Sequence, residues 1–109
     1  MKIYIAGKIT GDPDYIRKFQ CMEMEVKACG DTPLNPANHP EGLRQGDYMR
    51  LCFAMIDIAD AVVLLSDWKE SQGARLEKAY CDYVGKMCMP ASEYDRIRGE
   101  LGNGRKALS

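Results

Sequence analysis

The run Ala61-Val62-Val63-Leu64-Leu65 decides the fold class, because it is apolar at every position. Such a run is typical of a central strand in a parallel sheet, where helices cover both faces. Before it, residues 47–59 predict a helix with Asp47 as its N-cap and several apolar side chains on one side. After it, residues 73–84 predict a further helix. A buried strand between two helices indicates an α/β arrangement.

The rest of the chain extends this alternation in both directions. Residues 2–7 are β-branched and aromatic and predict a first strand, and residues 14–29 predict an amphipathic helix that ends before Gly30. Short strands are predicted at residues 32–35 and 87–89, each stopped by a proline. The order β-α-β-α-β-α-β predicts a small doubly wound parallel sheet of about four to five strands, with right-handed crossovers and flanking helices.

The size and composition of the chain favour one globular domain. Its 109 residues, 46% of them hydrophobic and 28% charged, suit a single hydrophobic core. We expect residues 1–90 to form the α/β domain and residues 91–109 a C-terminal extension with a weak helix and a loose end. So small a core gains from further burial between subunits, and we therefore expect a homo-oligomer.

The charge balance and the cysteines exclude several classes of function. A formal net charge of -1 gives no electrostatic attraction to polymeric nucleic acid or to an anionic membrane. The chain begins with a strand rather than a signal peptide and has no membrane-length apolar run, so we expect a cytoplasmic protein. The 5 cysteines form no CxxC pair and accompany 1 histidine, which predicts reduced thiols and neither a disulfide framework nor a zinc site. We expect no metal and no other cofactor.

Ligands of open parallel sheets bind beyond the carboxyl ends of the strands, so the loops there hold the candidate residues. After the first strand, Gly7, Lys8 and Thr10 combine a flexible turn, an ammonium and a hydroxyl next to the start of a helix. Backbone N–H groups at such a point can hold a phosphate. An ordinary strand-to-helix turn is the alternative, since the glycine pattern of a dinucleotide or P-loop site is missing.

The loop after the central strand leads into a helix that carries a carboxyl group on its inner side. Glu77 lies between Ala74 and Cys81 on the predicted apolar face, where an unpaired carboxylate is costly. Glu77 is therefore a candidate catalytic group. The alternative is a solvated carboxylate paired with Arg75, Lys78 or the helix dipole.

Three segments together resemble a known family. The opening Tyr4-Ile5-Ala6-Gly7, the segment from Ala59 to Asp67 and the helix start from Gly73 to Tyr80 are similar to nucleoside 2-deoxyribosyltransferases. They also resemble the related deoxynucleoside monophosphate N-glycosidases, and most of all a small phage- and prophage-associated branch of that superfamily. The resemblance covers roughly residues 1–90.

The resemblance implies a catalytic role for two residues. It implies that Glu77 attacks the anomeric carbon of the sugar and forms a covalent glycosyl-enzyme, as the carboxylate of a retaining glycosidase does. It also implies that Tyr4 orients or polarises this nucleophile. A phenol hydrogen bond and the nearby helix N-terminus are expected to favour the ionised carboxylate. The substrate implied is a nucleoside or nucleotide, bound in an even-numbered assembly such as a dimer.

Two positions depart from the family pattern. An ungapped comparison places Cys52 and Ser71 where the family has acidic residues that bind sugar hydroxyls or activate the base and the leaving group. Asp57 and Asp67 are candidates to replace them. Ser71 and Gly73 remain candidate substrate contacts.

Other loop residues are weaker candidates. Asn35, Asn38 and His39 lie in a long loop where they are able to meet a base or a phosphate, although asparagine also serves in turns. Trp68 follows the central strand and is placed to stack on a nucleobase or to cover a subunit contact.

Three functions fit these residues. The first is an enzyme that cleaves or exchanges the N-glycosidic bond of a nucleoside or nucleotide, with Glu77 as nucleophile and Tyr4 as its partner. The second is a protein that binds a nucleotide or a nucleotide-derived signal without turnover. The third is an interaction domain with a vestigial crevice.

Overall fold

The computed structural model describes residues 1–100, in which strands and helices alternate as the sequence predicts. The strands are Lys2–Ala6 (β1), Thr32–Leu34 (β2), Ala61–Leu64 (β3) and Met87–Pro90 (β4). The α-helices are Tyr15–Ala28 (α1), Gln45–Ile58 (α2) and Gln72–Val84 (α3), and 3₁₀ turns occupy Pro36–Asn38, Trp68–Glu70 and Ala91–Glu93. Residues 94–100 form a C-terminal helical segment. Within residues 1–100, no helix combines the length and the apolar character that a membrane span requires.

The four strands form one parallel sheet in the order β2-β1-β3-β4. The chain adds β2 on one side of β1 and then returns to add β3 and β4 on the other side. The strand order therefore reverses between β1 and β3, which is the topological switch point where open α/β sheets bind ligands. This confirms the predicted small doubly wound, Rossmann-like fold, with four strands.

Alternation along the strands divides the core into two layers. Ile3 and Ile5 of β1 face one side, and Tyr4 and Ala6 face the other. The first layer packs on α1 and the C-terminal helical segment through Phe19, Met22, Val26 and Tyr94. The second layer packs on α2 and α3 through Cys52, Ile56 and Cys81. Helices thus cover both faces, which is why β3 is apolar throughout.

The start of α2 differs from the prediction. The helix begins at Gln45, and Asp47 lies in its first turn instead of at the N-cap. There the Asp47 carboxylate accepts a hydrogen bond from the Arg44 backbone N–H at 3.2 Å. An acidic side chain at this point satisfies an otherwise unpaired helix N–H just as a cap does, so the residue type alone did not fix the register. The predicted strand 32–35 also ends one residue early, at Leu34.

The C-terminal residues pack against the α/β core. The Tyr94 side chain is fully buried in the first core layer. Its hydroxyl donates a hydrogen bond of 2.5 Å to Asp31, the residue before β2. Arg98 Nε donates to the same carboxylate at 2.5 Å, and the Met1 ammonium does so at 2.7 Å. The predicted division of the chain at residue 90 stays a prediction, and residues 101–109 of the predicted C-terminal extension, where its loose end was expected, lie outside the described part.

Candidate functional site

The loops that follow β1 and β3 are joined by a cluster of charged groups. The Asp67 carboxylate accepts from the Lys8 backbone N–H at 3.1 Å and from the Lys18 ammonium. Lys18 also donates to Asp12 at 2.5 Å and to the Lys8 carbonyl at 2.8 Å. These contacts hold the two loops together at the switch point and so fix one wall of the crevice there.

A cavity of about 560 Å³ opens at this edge of the sheet. It lies between the loops after β1 and β2, the first half of α2 and the N-terminal half of α3. A volume of this size suits a nucleoside-sized molecule. Polar, aromatic and ionisable side chains contribute much of its lining, among them Thr10, Tyr15, His39, Glu41, Tyr48, Cys52, Glu70, Ser71 and Glu77.

Glu77 is the buried carboxyl group of this cavity. It lies in the second turn of α3, is 6% exposed and lines the cavity wall. Tyr4, fully buried in β1, donates its phenol hydrogen bond to Glu77 Oε2. The prediction that Glu77 lies on the inner face of its helix is therefore confirmed, and the alternative of a solvated carboxylate is wrong.

Burial dominates the ionisation of this pair. Loss of solvent raises the pKa of Glu77 to about 7, although the hydrogen bond from Tyr4 acts in the opposite direction. We expected the phenol and the helix N-terminus to favour the ionised form, and the phenol does so without overcoming burial. Burial and the Glu77 charge also raise the pKa of Tyr4, so the phenol remains a protonated donor.

Cys52 is a third buried side chain next to Tyr4 and Glu77. Its thiol, on α2, lines the cavity as Glu77 does. Burial and the Glu77 charge raise its pKa to about 11. The position where the resemblance implies an acid is thus occupied by a neutral thiol.

Four predicted substrate contacts line the cavity, namely Gly7, Thr10, Ser71 and Gly73. Ser71 is the N-cap of α3 and accepts from the Ala74 N–H at 3.1 Å, so its hydroxyl oxygen already has a structural partner. At Gly7 an added Cβ would lie 2.7 Å from Leu65 Cδ1, so close packing of the two strand ends requires this glycine. At Gly73 an added Cβ would make only ordinary contacts, 3.6 Å from Met49 Sδ.

The other predicted contacts do not line the cavity. Lys8 and Asp67 belong to the charged cluster that joins the loops. Asp57, on the exposed side of α2, accepts from the Tyr80 hydroxyl at 2.5 Å. Trp68 packs against the second core layer and carries the Lys69 ammonium 5.7 Å from its ring centroid. Their predicted contacts with a substrate stay predictions.

Asn35 is buried behind the cavity wall instead of lining it. Its side-chain Oδ1 accepts from the Ala37 N–H at 2.9 Å and so caps the 3₁₀ turn after β2. Its Nδ2 has no hydrogen-bond partner within residues 1–100. The turn role that we weighed for this asparagine is therefore present, and a contact with a base or phosphate stays a prediction.

His39 does line the cavity. It is half-buried, and burial lowers its pKa. Its Nε2 lies 3.1 Å from Met55 Sδ. Among residues 1–100, no group of three or more potential ligand side chains is arranged to hold a metal ion.

Apart from Cys52, sequence reasoning missed the α2 side of the cavity. Gln45, Tyr48, Met49 and Cys52 all line it. They follow the i, i+3, i+4, i+7 spacing of one helix face, so this signal was present in the sequence. The Tyr48 hydroxyl also donates to the Pro40 carbonyl at 2.8 Å and thereby ties the long loop to α2. Tyr15, at the start of α1, and the rim residues Glu41 and Glu70 gave no such signal.

The fold and the site define a doubly wound α/β domain with a buried carboxyl group in a cavity at the switch point. The chain belongs to the family described as Domain of unknown function (DUF4406), whose model matches residues 1–89. Every lining residue of the cavity lies within that match. Comparisons with curated proteins and with solved structures gave no match.

Proposed function

We propose that this protein cleaves or exchanges the N-glycosidic bond of a nucleoside or nucleotide, with Glu77 as the nucleophile. The observation that carries the proposal is the Glu77 carboxyl, which is 6% exposed, lines the cavity and receives the Tyr4 hydrogen bond. Buried carboxyl groups with a strongly perturbed pKa in a cleft are typical of catalytic sites. The resemblance of the three segments to nucleoside 2-deoxyribosyltransferases supports the same chemistry.

The reaction takes two displacements. A Glu77 carboxylate oxygen attacks C1′ of the sugar while the C1′–N bond breaks, and the base leaves with the electron pair and takes up a proton from solvent. Water, or a second base, then attacks C1′, the bond between C1′ and the Glu77 oxygen breaks with its electron pair returning to the carboxylate, and the attacking molecule releases a proton to solvent. Tyr4 holds the carboxylate in place throughout, because its phenol stays protonated.

The pKa of Glu77 gives this mechanism a pH dependence. Only the carboxylate form attacks C1′, and its population rises through about pH 7. We therefore expect the rate of the first displacement to increase with pH across neutrality and to level off above it.

We also infer the wider setting of this activity from the resemblance and from the chain's size. The family is placed in the nucleoside 2-deoxyribosyltransferase-like superfamily, and the protein acts in the cytoplasm as a homo-oligomer. It requires no metal and no other cofactor, because a carboxylate nucleophile, a phenol donor and water complete both displacements.

The test is base release from purified protein. A panel of ribonucleosides, deoxyribonucleosides and their monophosphates is incubated with the wild type and with Glu77→Gln, and free base is followed by chromatography. We expect release from at least one substrate class and a loss of about a thousandfold in Glu77→Gln, which retains the shape of the side chain. The control Glu25→Gln changes an exposed carboxyl on the other layer and should keep the full rate. Equal rates in Glu77→Gln and wild type would remove Glu77 from the mechanism.

Binding without turnover is the second candidate function. It is favoured by Cys52 and Ser71, because the first is a neutral thiol and the second already caps α3. In that case thermal shifts on the same panel reveal a ligand, every ligand is recovered intact, and Glu77→Gln changes affinity alone.

A further inference from the structure

The charge of the cavity lining is one-sided. Three carboxyl groups line it, from Glu41, Glu70 and Glu77, and within residues 1–100 no lysine or arginine does. Burial lowers the pKa of His39, so this side chain is neutral at neutral pH and offsets nothing. The lining is therefore anionic once Glu77 ionises.

Two lysines of the flanking helices are paired with carboxylates outside the lining. Lys18 binds Asp12 and Asp67, and Lys78 binds Asp82 at 2.6 Å on the outer side of α3. The N-terminus of α3 contributes a positive end of about half a charge. That partial charge is smaller than the opposing charge of the three carboxylates, so the charge of the lining itself disfavours a phosphate group.

The remaining lining suits a flat cation. The aromatic side chains of Tyr15 and Tyr48, both partly exposed, line the cavity with Met49. Aromatic rings attract cations through their negative faces. Carboxylates and aromatic rings together are the surroundings that recognise a positively charged heterocycle.

The proton balance of the reaction favours the same ligand. A neutral base leaves with an electron pair and needs a proton. Burial raises the pKa of the Cys52 thiol to about 11, which makes it a weak acid, and burial lowers the pKa of His39, so that its ring is already deprotonated to the neutral imidazole at neutral pH. A base that carries a quaternary nitrogen at the glycosidic bond leaves as a neutral molecule on accepting the electron pair. It requires no acid.

We propose that the cavity selects unphosphorylated nucleosides whose base carries a positive charge. This inference rests on the proposed function, since it names the substrate class of the same site. Glu41 and Glu70 supply selectivity at the rim, and Glu77 attacks C1′ of the bound cation.

The test compares two ligands that differ mainly in charge, nicotinamide riboside and its neutral reduced form. Binding is measured by calorimetry to Glu77→Gln, which does not form the covalent intermediate, and to the same chain carrying Glu41→Gln and Glu70→Gln. We expect a preference of about tenfold for the cation in the single variant, weakened by salt and lost in the triple variant. The neutral ligand should bind both chains equally, which controls for the fold. The 5′-phosphate of the cationic nucleoside should bind more weakly than the nucleoside itself.

Equal affinity for the charged and neutral ligands, tighter binding of the phosphate, or no binding of either nucleoside would overturn the inference. Turnover separates it from the proposed function. Selective binding of nicotinamide riboside that wild type returns intact would support the inferred selectivity for a cationic base and contradict catalysis by Glu77. Base release from neutral nucleosides or monophosphates at least as fast as from the cation would support catalysis and contradict the inference.

Discussion

Asp31 and Glu77 are buried to nearly the same extent, 5% and 6% exposed, the first at the amino ends of the strands and the second toward their carboxyl ends. Asp31 precedes β2, and three donors meet its carboxylate, two of them cationic. Burial raises the pKa of Asp31, but the hydrogen bonds from Arg98, Met1 and Tyr94 outweigh it and lower the pKa to about 2. Glu77 has one phenol donor and a pKa of about 7. Partners rather than burial decide the charge of a buried carboxyl group.

The difference separates a structural carboxylate, Asp31, from the proposed nucleophile, Glu77. The negative charge of Asp31 is compensated by the Met1 ammonium and the Arg98 guanidinium, so this carboxylate is already fully paired within the fold. Glu77 faces open volume with its charge uncompensated, which is the condition of a group that acts on a bound molecule. The carboxyl ends of the strands thus hold the proposed nucleophile, and the amino ends hold a stabilising carboxylate.

The largest expected effect is on stability at the Asp31 edge. Asp31→Asn leaves the Arg98 guanidinium, whose side chain is 10% exposed, without its carboxylate, so we expect a loss of about 3 kcal/mol in the free energy of unfolding. Urea denaturation measures it. The control Asp14→Asn changes an exposed carboxyl group and should stay within about 0.5 kcal/mol of wild type. Equal stability of the two variants would show that the Asp31 contacts contribute nothing.

The second prediction concerns the pH dependence of stability at Glu77. Its pKa is raised from 4.5 to about 7 in the folded state, so the folded protein holds a proton that the unfolded chain releases between these values. The free energy of unfolding should therefore fall by about 3 kcal/mol as pH rises from below 4.5 to above 7. Denaturation across this range measures the slope, and Glu77→Gln should remove it.

The contribution of Asp31 to stability depends on pH in the opposite direction. Its pKa is lowered from 3.8 to about 2, so its contribution is present above 3.8 and is lost as pH falls through about 2. Glu77→Gln should leave this acid limb unchanged. A Glu77→Gln chain that keeps the neutral-pH slope would contradict the comparison.

The third prediction compares two glycines of the cavity lining, Gly7 and Gly73. Gly7→Ala should destabilise the fold by about 2 kcal/mol, because its Cβ would lie 2.7 Å from Leu65 Cδ1. Gly73→Ala, where the added Cβ lies 3.6 Å from Met49 Sδ, should fold as wild type and only narrow the cavity. Thermal denaturation compares them. Two equally stable variants would mean that Gly7 is not closely packed.

The smallest effects are expected when the phenol donor of each carboxyl group is removed. Tyr4→Phe removes the single donor to Glu77, so the pKa of Glu77 should rise further and stability above pH 7 should fall by about 1 kcal/mol. Tyr94→Phe leaves Asp31 with Arg98 and Met1, so the pKa of Asp31 should stay below its usual value. NMR titration of the side-chain carboxyl carbons reports both. An unchanged Glu77 titration in Tyr4→Phe would argue against the hydrogen bond.

Local patterns in the sequence were sufficient for most of the fold. The apolar run at Ala61 to Leu65 predicted the central strand to within one residue, and the inner position of Glu77 followed from helical spacing. The start of α2 was wrong because Asp47 satisfies helix N–H groups equally well as a cap or within the first turn.

The site was less accessible to sequence reasoning, because long-range packing assembles it. Tyr4 and Glu77 are 73 residues apart, and only the family resemblance joined them. Asp67 and Lys8 carried the right chemistry at the right strand ends, yet Lys18 from α1 engages Asp67 within the fold. No local pattern in the sequence predicts the contact between Lys18 and Asp67.

The burial of Tyr94 has a consequence for where the shared unit of this family ends. The family model stops at residue 89, five positions before a tyrosine that fills the core and holds Asp31. A fragment cut at the model's boundary would expose the underside of the sheet and leave a buried carboxylate without two of its donors. The segment that the family model matches is thus shorter than the segment that completes the core of this chain.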